Sequence, residues 1–296
     1  MDIAVLSDIH GNFEALRTCV ACAQERAIGT FLFLGDYLGE FSFPQRTMEF
    51  LYRLKDTCRC VFIRGNKEDY WLQYRKAGEQ GWKENNSTTG SLLYTYQNLT
   101  ARDLDFFSEM EIARVLTFDR AEPITVCHGS PRQNREKLLP GADNTCDILK
   151  RLDTRLLLCG HTHIRQKSEC SGKILLNPGS VGAPLQSHGK AQFLILHENG
   201  GKWTEEFLSL DYPVETEIQK LYASGLDRFA PYWCKSTIHL ARTGKDSQGE
   251  LLEKAMELCR KELGECRWPD IPERYWAQAY ALFYGNEEET EGQNYG

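Results

Sequence analysis

Asp8 and His10 directly follow a short apolar run near the start of the chain, and Gly160-His161-Thr162-His163 follows another. Between them Asp36, Asn66 and His128 each stand just past a further apolar run. Such runs read as β-strands, and in an open α/β sheet the downstream strand ends gather on one edge, where ligands bind. These segments bring two carboxylates, one amide and four imidazoles to that edge. That is more than one ion needs. It suits two ions held about 3.5–4 Å apart, the usual clamp for in-line displacement at phosphorus. Taken singly, a His at a strand end is ordinarily a surface residue and an Asp after a Gly a turn former. It is their order along one chain that points to a metal site.

The elements that must hold these residues follow from apolar periodicity. Residues 2–7 read as a buried strand, and Asn12 as the cap of a helix with Phe13, Leu16, Val20 and Ala23 on one face. Residues 30–34 and 60–63 read as strands, with a helix over 43–55 between them and Pro44 in its first turn. This β-α-β-α-β order predicts a parallel sheet with right-handed crossovers. Residues 67–110 read as a helical insertion carrying Tyr70, Trp71, Tyr74, Trp82, Tyr94 and Tyr96. Packing on the sheet explains these aromatics better than a wall for the site. Strands are then expected at 115–118, 124–128, 156–159, 173–177, 192–197 and 203–210, the last two joined as a hairpin around Asn199-Gly200-Gly201. They predict a second, mixed sheet packed against the first. Helices follow at 215–223, 249–262 and 271–283, with a loop at 244–249.

The 296 residues allow one large domain or a domain with an appendage, with ordinary globular composition. Net charge is −7, and Lys and Arg form no stripe. That argues against a protein whose main task is gripping nucleic acid, which rests on concentrated positive charge. A nucleotide substrate stays open, because bound ions outweigh the global balance locally. No apolar stretch is long enough to span a bilayer and no signal-like pattern opens the chain, so a cytoplasmic protein with no membrane partner is expected. The eleven cysteines fit that expectation: Cys60, Cys127 and Cys159 lie in apolar runs, where a reduced cysteine behaves as a small hydrophobe. Cys19 and Cys22 fall within a helical pattern and read as core rather than as a zinc or redox pair. His188, His197 and His239 fit no motif; His197 reads as structural, and His188 as a loop residue that approaches the substrate at most.

Asp8-Ile9-His10-Gly11-Asn12, Leu34-Gly35-Asp36, Arg64-Gly65-Asn66, Cys127-His128-Gly129-Ser130-Pro131, Gly160-His161-Thr162-His163 and Asn177-Pro178-Gly179-Ser180-Val181-Gly182 resemble, in order, the motifs of calcineurin-like metallophosphoesterases. The resemblance covers about residues 1–210. Within that superfamily the chain is most similar to the bacterial branch of small phosphodiesterases and diadenosine-polyphosphate hydrolases. The resemblance implies an α/β fold, a four-layer sandwich of two mixed sheets flanked by helices. It fits a metallophosphoesterase domain at 1–212; the change of pattern after Pro213, outside the resemblance, reads as a C-terminal helical extension at 213–285, and the composition of 286–296 as a disordered acidic tail. Carried over residue by residue, one ion takes Asp8, His10, Asp36 and His163; the other takes Asp36, Asn66, His128 and His161, with Asp36 bridging. Such donors suit Mn²⁺, Fe²⁺ or Zn²⁺ better than Mg²⁺ or Ca²⁺. The implied catalytic group is Asp36, Asn66, Lys67 and His128, and the implied substrate contacts are Asn12, Arg64 and Lys67. The loop at 177–182 is implied to support the site without ligating.

The implied chemistry is in-line attack by a hydroxide bridging two divalent ions. Many relatives carry His after the Gly-Asn pair, where this chain has Lys67. Beside two dications a lysine is expected to have a lowered pKa, and then to donate a proton or hold a phosphate oxygen. The plainer expectation is a surface lysine paired with Glu68 or Asp69. Leaving groups that need little protonation fit this departure, which favours nucleotide pyrophosphates and diesters with acidic leaving groups. Tyr37-Leu38-Gly39-Glu40-Phe41 lacks the arginine that Ser/Thr protein phosphatases place shortly after the aspartate, and Arg64 is the substitute at hand. The expected function is therefore hydrolysis of a small phosphodiester or nucleotide-type substrate. Phosphomonoesterase or protein phosphatase activity is the alternative. From another class comes a non-catalytic scaffold, as in a retromer subunit of this fold, against which stand seven intact motif ligands.

Overall fold

Ile3, Ala4, Val5 and Leu6 have no exposed surface, so β1 (Asp2–Leu6) needs a partner on each edge and cover on each face. A computed structural model, describing residues 1–245 and 248–285, shows how both needs are met. On one edge lie the parallel strands β2 (Thr30–Phe33) and β3 (Arg59–Phe62), with Val5 opposite Leu32 and Leu32 opposite Val61. The first β-α-β-α-β stretch thus forms the parallel unit its order predicts. On the other edge lies β9 (Ala191–Asn199), antiparallel, with Ile3 opposite Leu196. A turn at Gly200-Gly201, both with positive φ, joins it to β10 (Lys202–Leu210). The hairpin expected from the turn residues is present, but it completes the first sheet, order β10-β9-β1-β2-β3, instead of joining the second. Residues 191–196 of β9 are buried throughout, as an interior strand requires.

The second sheet runs β4-β5-β6-β8-β7. Its parallel centre is β5 (Ile124–Cys127), β6 (Leu156–Leu158) and β8 (Lys173–Asn177), and its antiparallel edges are β4 (Ala113–Leu116) and β7 (Gln166–Cys170). β4 lies two residues ahead of the stretch expected at 115–118. β7 had no apolar run to announce it, because as an edge strand it alternates buried and exposed positions in Gln-Lys-Ser-Glu-Cys.

Ile3, Val5, Leu32, Leu194 and Leu196 of one sheet pack on Ile124, Val126, Leu156, Leu158 and Leu176 of the other. Outside the first sheet lie α1 (Phe13–Glu25), α2 (Pro44–Thr57) and α5 (Ala101–Glu109), which place Leu16, Val20, Met48, Leu51 and Phe107 over Leu6, Phe31 and Phe33. Cys19 packs within this layer and Cys22 lies at its margin. Outside the second lies α6 (Asp143–Arg151), whose Ile148 and Leu149 cover Cys127, Leu157 and Leu175. The result is the four-layer sandwich, helix–sheet–sheet–helix. The sequence reading missed α6, a short and mostly polar helix.

The insertion supplies α3 (Asn66–Lys76) and α4 (Gly90–Gln97) as well as α5. Its aromatics pack on one another: Tyr74 stacks on Trp82 at 3.9 Å, and Trp71 lies buried against Phe107. The C-terminal extension holds α7 (Val214–Ser224), α8 (Leu226–Phe229), α9 (Pro231–Thr243), α10 (Gln248–Leu263) and α11 (Glu273–Tyr284). Helices α8 and α9 fill a stretch left unassigned by periodicity. Phe41 and Tyr94 share a buried cluster with Ile218, Leu221, Ala230 and Ile238. The extension is also bonded to the insertion, through Ser87 to Glu273 at 2.6 Å and Trp276 to Thr88 at 2.9 Å.

Cys146 of α6 and Cys170 of β7 form a disulfide, a departure from the expected set of reduced cysteines; their Cα atoms lie 5.5 Å apart, within the usual span. No helix among the described residues is long and apolar enough to cross a membrane. The expected acidic tail at 286–296 lies outside the described residues, as do residues 246 and 247 of the expected loop.

Candidate metal centre

Because β1, β2 and β3 run parallel, their exit loops emerge side by side and extend the ladder past the strands. Asp8 N–H donates to Gly35 O at 3.1 Å, His10 to Asp36 O at 3.0 Å and Gly11 to Tyr37 O at 2.8 Å. The backbone there is unusual. Asp8, His10, Asp36, His161 and His163 all have φ between 54° and 67°. A left-handed non-glycine residue costs roughly 1–3 kcal/mol and persists where its surroundings over-determine it, most often at functional sites. Five of the seven candidate ligands adopt it. At Gly35, a Cβ would lie 2.6 Å from Gly65 N and 2.9 Å from His128 Nδ1, so only glycine lets the second, third and fifth strand exits close together.

The side chains converge. Asp8 Oδ1 lies 3.3 Å from His163 Nε2, 3.8 Å from His10 Nε2 and 4.0 Å from His128 Nε2. Asp36 Oδ2 lies 3.4 Å from His128 Nε2 and 4.0 Å from His10 Nε2. Asn66 Oδ1 is 3.1 Å from His128 Nε2. Two overlapping donor sets result, Asp8–His10–His163 and Asp8–Asp36–His128. His161 belongs to neither, although its ring stands 5.1 Å from that of His128.

Each imidazole has its outward nitrogen committed. His128 Nδ1 donates to Leu34 O at 2.7 Å, His163 Nδ1 to Ala183 O at 2.7 Å, and His161 Nε2 to Arg135 O at 3.1 Å. His10 Nδ1 is paired with Glu40. Outer acceptors of this kind fix the ring orientation and turn the other nitrogen inward. His10 Nε2 and His163 Nε2 are thereby brought to 2.9 Å of each other, and the wholly buried Asp8 Oδ1 has no hydrogen-bond donor. Inward-turned imidazole nitrogens and a buried carboxylate oxygen without a donor converge on one point, and this nitrogen and oxygen set fits borderline divalent ions.

Charge is tightly coupled here. Burial works to raise the Asp8 carboxyl, yet His163 and His128 overcome it and hold it at about 2. Burial likewise opposes ionisation of Asp36, but His128, His10 and Lys67 keep it well below the usual range. His128 goes the other way: burial disfavours its charge, and Asp36 and Asp8 raise it to about 10. His161 is pushed down to about 4 by burial and by His128.

Residues 1–201 match the calcineurin-like phosphoesterase superfamily domain, more than half of the chain. The chain belongs to the calcineurin-like phosphoesterase superfamily. An uncharacterized protein of Methanocaldococcus jannaschii is 26% identical over 258 residues, covering 81% of this chain and 98% of that one. A hypothetical protein of Pyrococcus horikoshii has a similar fold, with TM-score 0.70 at 20% identity over 82% of this chain and 98% of its own. A metallophosphoesterase from Sphaerobacter thermophilus does too, with TM-score 0.64 at 21% identity over 82% of this chain and 99% of its own. Members of the superfamily typically bind divalent metals, and the donor sets above are where this calcineurin-like chain would hold them.

Against that family background the structure shows partners that motif reading missed. Lys67 pairs with neither Glu68 nor Asp69. Its Nζ lies 2.5 Å from Glu40 Oε1, and Glu40 Oε2 meets His10 Nδ1. Without bound ions, burial disfavours the Lys67 charge, but Glu40 and Asp36 raise its pKa above the usual lysine value. Glu68 is buried and accepts the N–H groups of Asp36, Tyr37 and Gly65 at 3.0, 3.0 and 2.8 Å, pinning two ligand loops together. The only hint of Glu68 in the sequence is an acidic residue three places after Gly65, where a helix start favours one. Asn177 and Ser180 brace the loops of Gly160 and Asp8 by bonds of 2.7 Å each.

A pocket of about 500 Å³ opens on the centre, lined by His10, Asp36, Glu40, Asn66, Lys67, His161 and His163 on one side. Asn12 and Arg64, read as substrate contacts, do not line it. Asn12 is fully buried; it caps α1 through Ala15 N–H and donates to Gly182 O and Tyr212 Oη. Arg64 turns to Asp69, at 3.1 Å, and to Ser108 O. His188 is exposed and outside the lining, while His197 sits between Asp2 and Glu206 on the first sheet.

Proposed function

We propose that the chain is a metal-dependent phosphoric ester hydrolase acting on small phosphodiester or nucleotide-type substrates, with two divalent ions shared between Asp8, His10, Asp36, Asn66, His128, His161 and His163. The observation that carries this is the pair of overlapping donor sets, with carboxylate oxygens between inward-facing imidazole nitrogens. Bound there, the ions would supply a water ionised near neutral pH and positive charge against the phosphoryl oxygens. Asp8 is the residue common to both donor sets, while the Asp36 carboxylate, 3.4 Å from His128 and 4.0 Å from His10, lies between the two and supports the bridging role the family motif implies. Lys67 lines the pocket, which supports binding of a phosphoryl oxygen, and its ion pair with Glu40 at 2.5 Å favours that role over proton donation. Esters whose leaving groups depart without protonation therefore suit the site best.

Turnover of bis-p-nitrophenyl phosphate with Mn²⁺ tests the reading. Asp36→Asn is expected to lose about 10³-fold or more in kcat/KM, a range typical for a principal electrostatic group. Lys67→Ala is expected to lose about 10²-fold, equally for leaving groups of high and low acidity. Full activity in Asp36→Asn would refute the dinuclear reading, and a loss that grows with leaving-group basicity would restore Lys67 as a proton donor.

A further inference from the structure

Part of the pocket's lining comes from beyond the family domain. Trp233 and Leu240 of α9 and Leu252 of α10 line it, with Leu185 and Ile164 beside them. The metal pole is thus polar and charged, and the extension brings three apolar side chains, with Gln248 and Gly249 beside them. The two are in touch through one side chain. Lys67 Nζ lies 2.5 Å from Glu40, which holds His10, and 5.8 Å from the centre of the Trp233 ring, within cation–π range.

Trp233 is firmly placed. It packs edge-on against Trp276 at 6.0 Å, and its carbonyl accepts from Ser236 and Thr237 at 2.8 and 2.9 Å. Trp276 is in turn bonded to Thr88 of the insertion. The wall is built into the fold.

A phosphate group fills only a small part of about 500 Å³, a volume within the range of pockets that enclose drug-sized ligands. What remains adjoins an indole and aliphatic side chains, surfaces that reward a flat apolar group and offer little to a short alkyl chain. We propose that α9 and α10 form the subsite for the organic part of the substrate, and that this part carries a planar aromatic face, an aryl group or a nucleobase. Trp233 is then the residue that sets specificity, with Leu252 a second apolar contact. The inference rests on the phosphoesterase reading and names the substrate class of the same pocket.

Two sets of probes test it on the full chain with Mn²⁺. Phenylphosphonate and methylphosphonate have no ester to cleave, so calorimetry with them reads binding alone. Methyl p-nitrophenyl phosphate, bis-p-nitrophenyl phosphate and thymidine 5′-p-nitrophenyl phosphate share one leaving group and differ in the other substituent. In the wild type the aromatic members are expected to bind tighter by about tenfold, seen in Kd and KM rather than kcat. Trp233→Ala and Leu252→Ala should erase that preference while changing methylphosphonate binding by less than about twofold, and Trp233→Phe should restore most of it. Preference for the thymidine ester over the bis-aryl ester identifies a nucleobase as the occupant, and the reverse identifies an aryl group. Equal binding of methylphosphonate and phenylphosphonate in the wild type, or equal loss for both in Trp233→Ala, overturns the subsite. Ester hydrolysis without aromatic preference removes this inference alone. Aromatic preference among phosphonates without hydrolysis of any ester keeps the subsite and removes the hydrolase reading.

Discussion

Glu40 carries two contacts that no motif predicts. It is buried, with one oxygen on Lys67 and the other on His10. Burial opposes its ionisation, but His10 and Lys67 hold it at about 2, so it is an anion between two donors. Glu40→Gln leaves a single acceptor oxygen for both. Mn²⁺ affinity by calorimetry is expected to fall about 10- to 100-fold, the usual cost of losing an outer partner of a ligating imidazole, with Lys67 freer to move. Unchanged affinity would show that His10 needs no such support. The candidate ligands were legible because Asp, Asn and His at successive strand ends are chemically conspicuous. Glu40 was not, because a loop glutamate gains meaning only from residues 27 and 30 positions away that folding brings beside it. Asn12 and Arg64 show the converse. Both lie in motifs, yet one holds a helix start and the other a surface carboxylate.

Elements place these residues through loops that sequence patterns do not describe. Periodicity found the strands of the parallel units, since each is an apolar run, and it found the hairpin from Gly200-Gly201. It assigned that hairpin to the wrong sheet, because alternation reports which faces are buried and says nothing of which edge is paired. The polar edge strand β7 and the short helices α6 and α8 carry too few apolar residues to register. The left-handed turns at Asp8 and His10 were equally silent. They are braced from behind by the loop after β8: Val181 and Gly182 donate to Ser7 O and Asp8 O at 2.9 and 3.0 Å. A Cβ on Gly182 would lie 1.8 Å from Ile9 O. Gly182→Ala must therefore push the Asp8–His10 turn outward. A loss of about 3 kcal/mol is expected in denaturant unfolding, at the upper end for overpacking, together with weakened metal binding. Gly29→Ala, with nothing within 4 Å of its Cβ, is the control and should stay within about 0.5 kcal/mol. Equal stability of the two variants would mean that this brace does not hold the turn.

At the scale of the whole molecule, folding, protonation and metal binding are linked through the same buried cluster. Asp8 and Glu40, both held at about 2, contribute stability that is present above their ordinary values and lost as pH falls toward 2. His128 has the opposite sign. Raised from 6.5 to about 10, it contributes stability fully present below 6.5 and lost as pH rises through 10. Glu68, raised from 4.5 to about 8 by burial and by Asp36, costs stability in the same direction, so the protein stripped with a chelator should lose melting temperature as pH climbs from about 6.5 to 8.5. An ion demands neutral imidazoles, so its binding must expel the protons on His128 and on His163, which Asp8 also raises against the effect of burial. Affinity should climb roughly tenfold per pH unit for each proton expelled. With saturating Mn²⁺ the stabilisation over the stripped protein therefore grows across the same interval in which the stripped protein weakens. Melting curves at each pH, with chelator and with Mn²⁺, read both slopes, and calorimetry in buffers of different ionisation enthalpy counts the protons. Parallel slopes, or binding without proton release, would mean that His128 and His163 are not ligands, and the cluster would then be a buried ion-pair network that serves the fold alone.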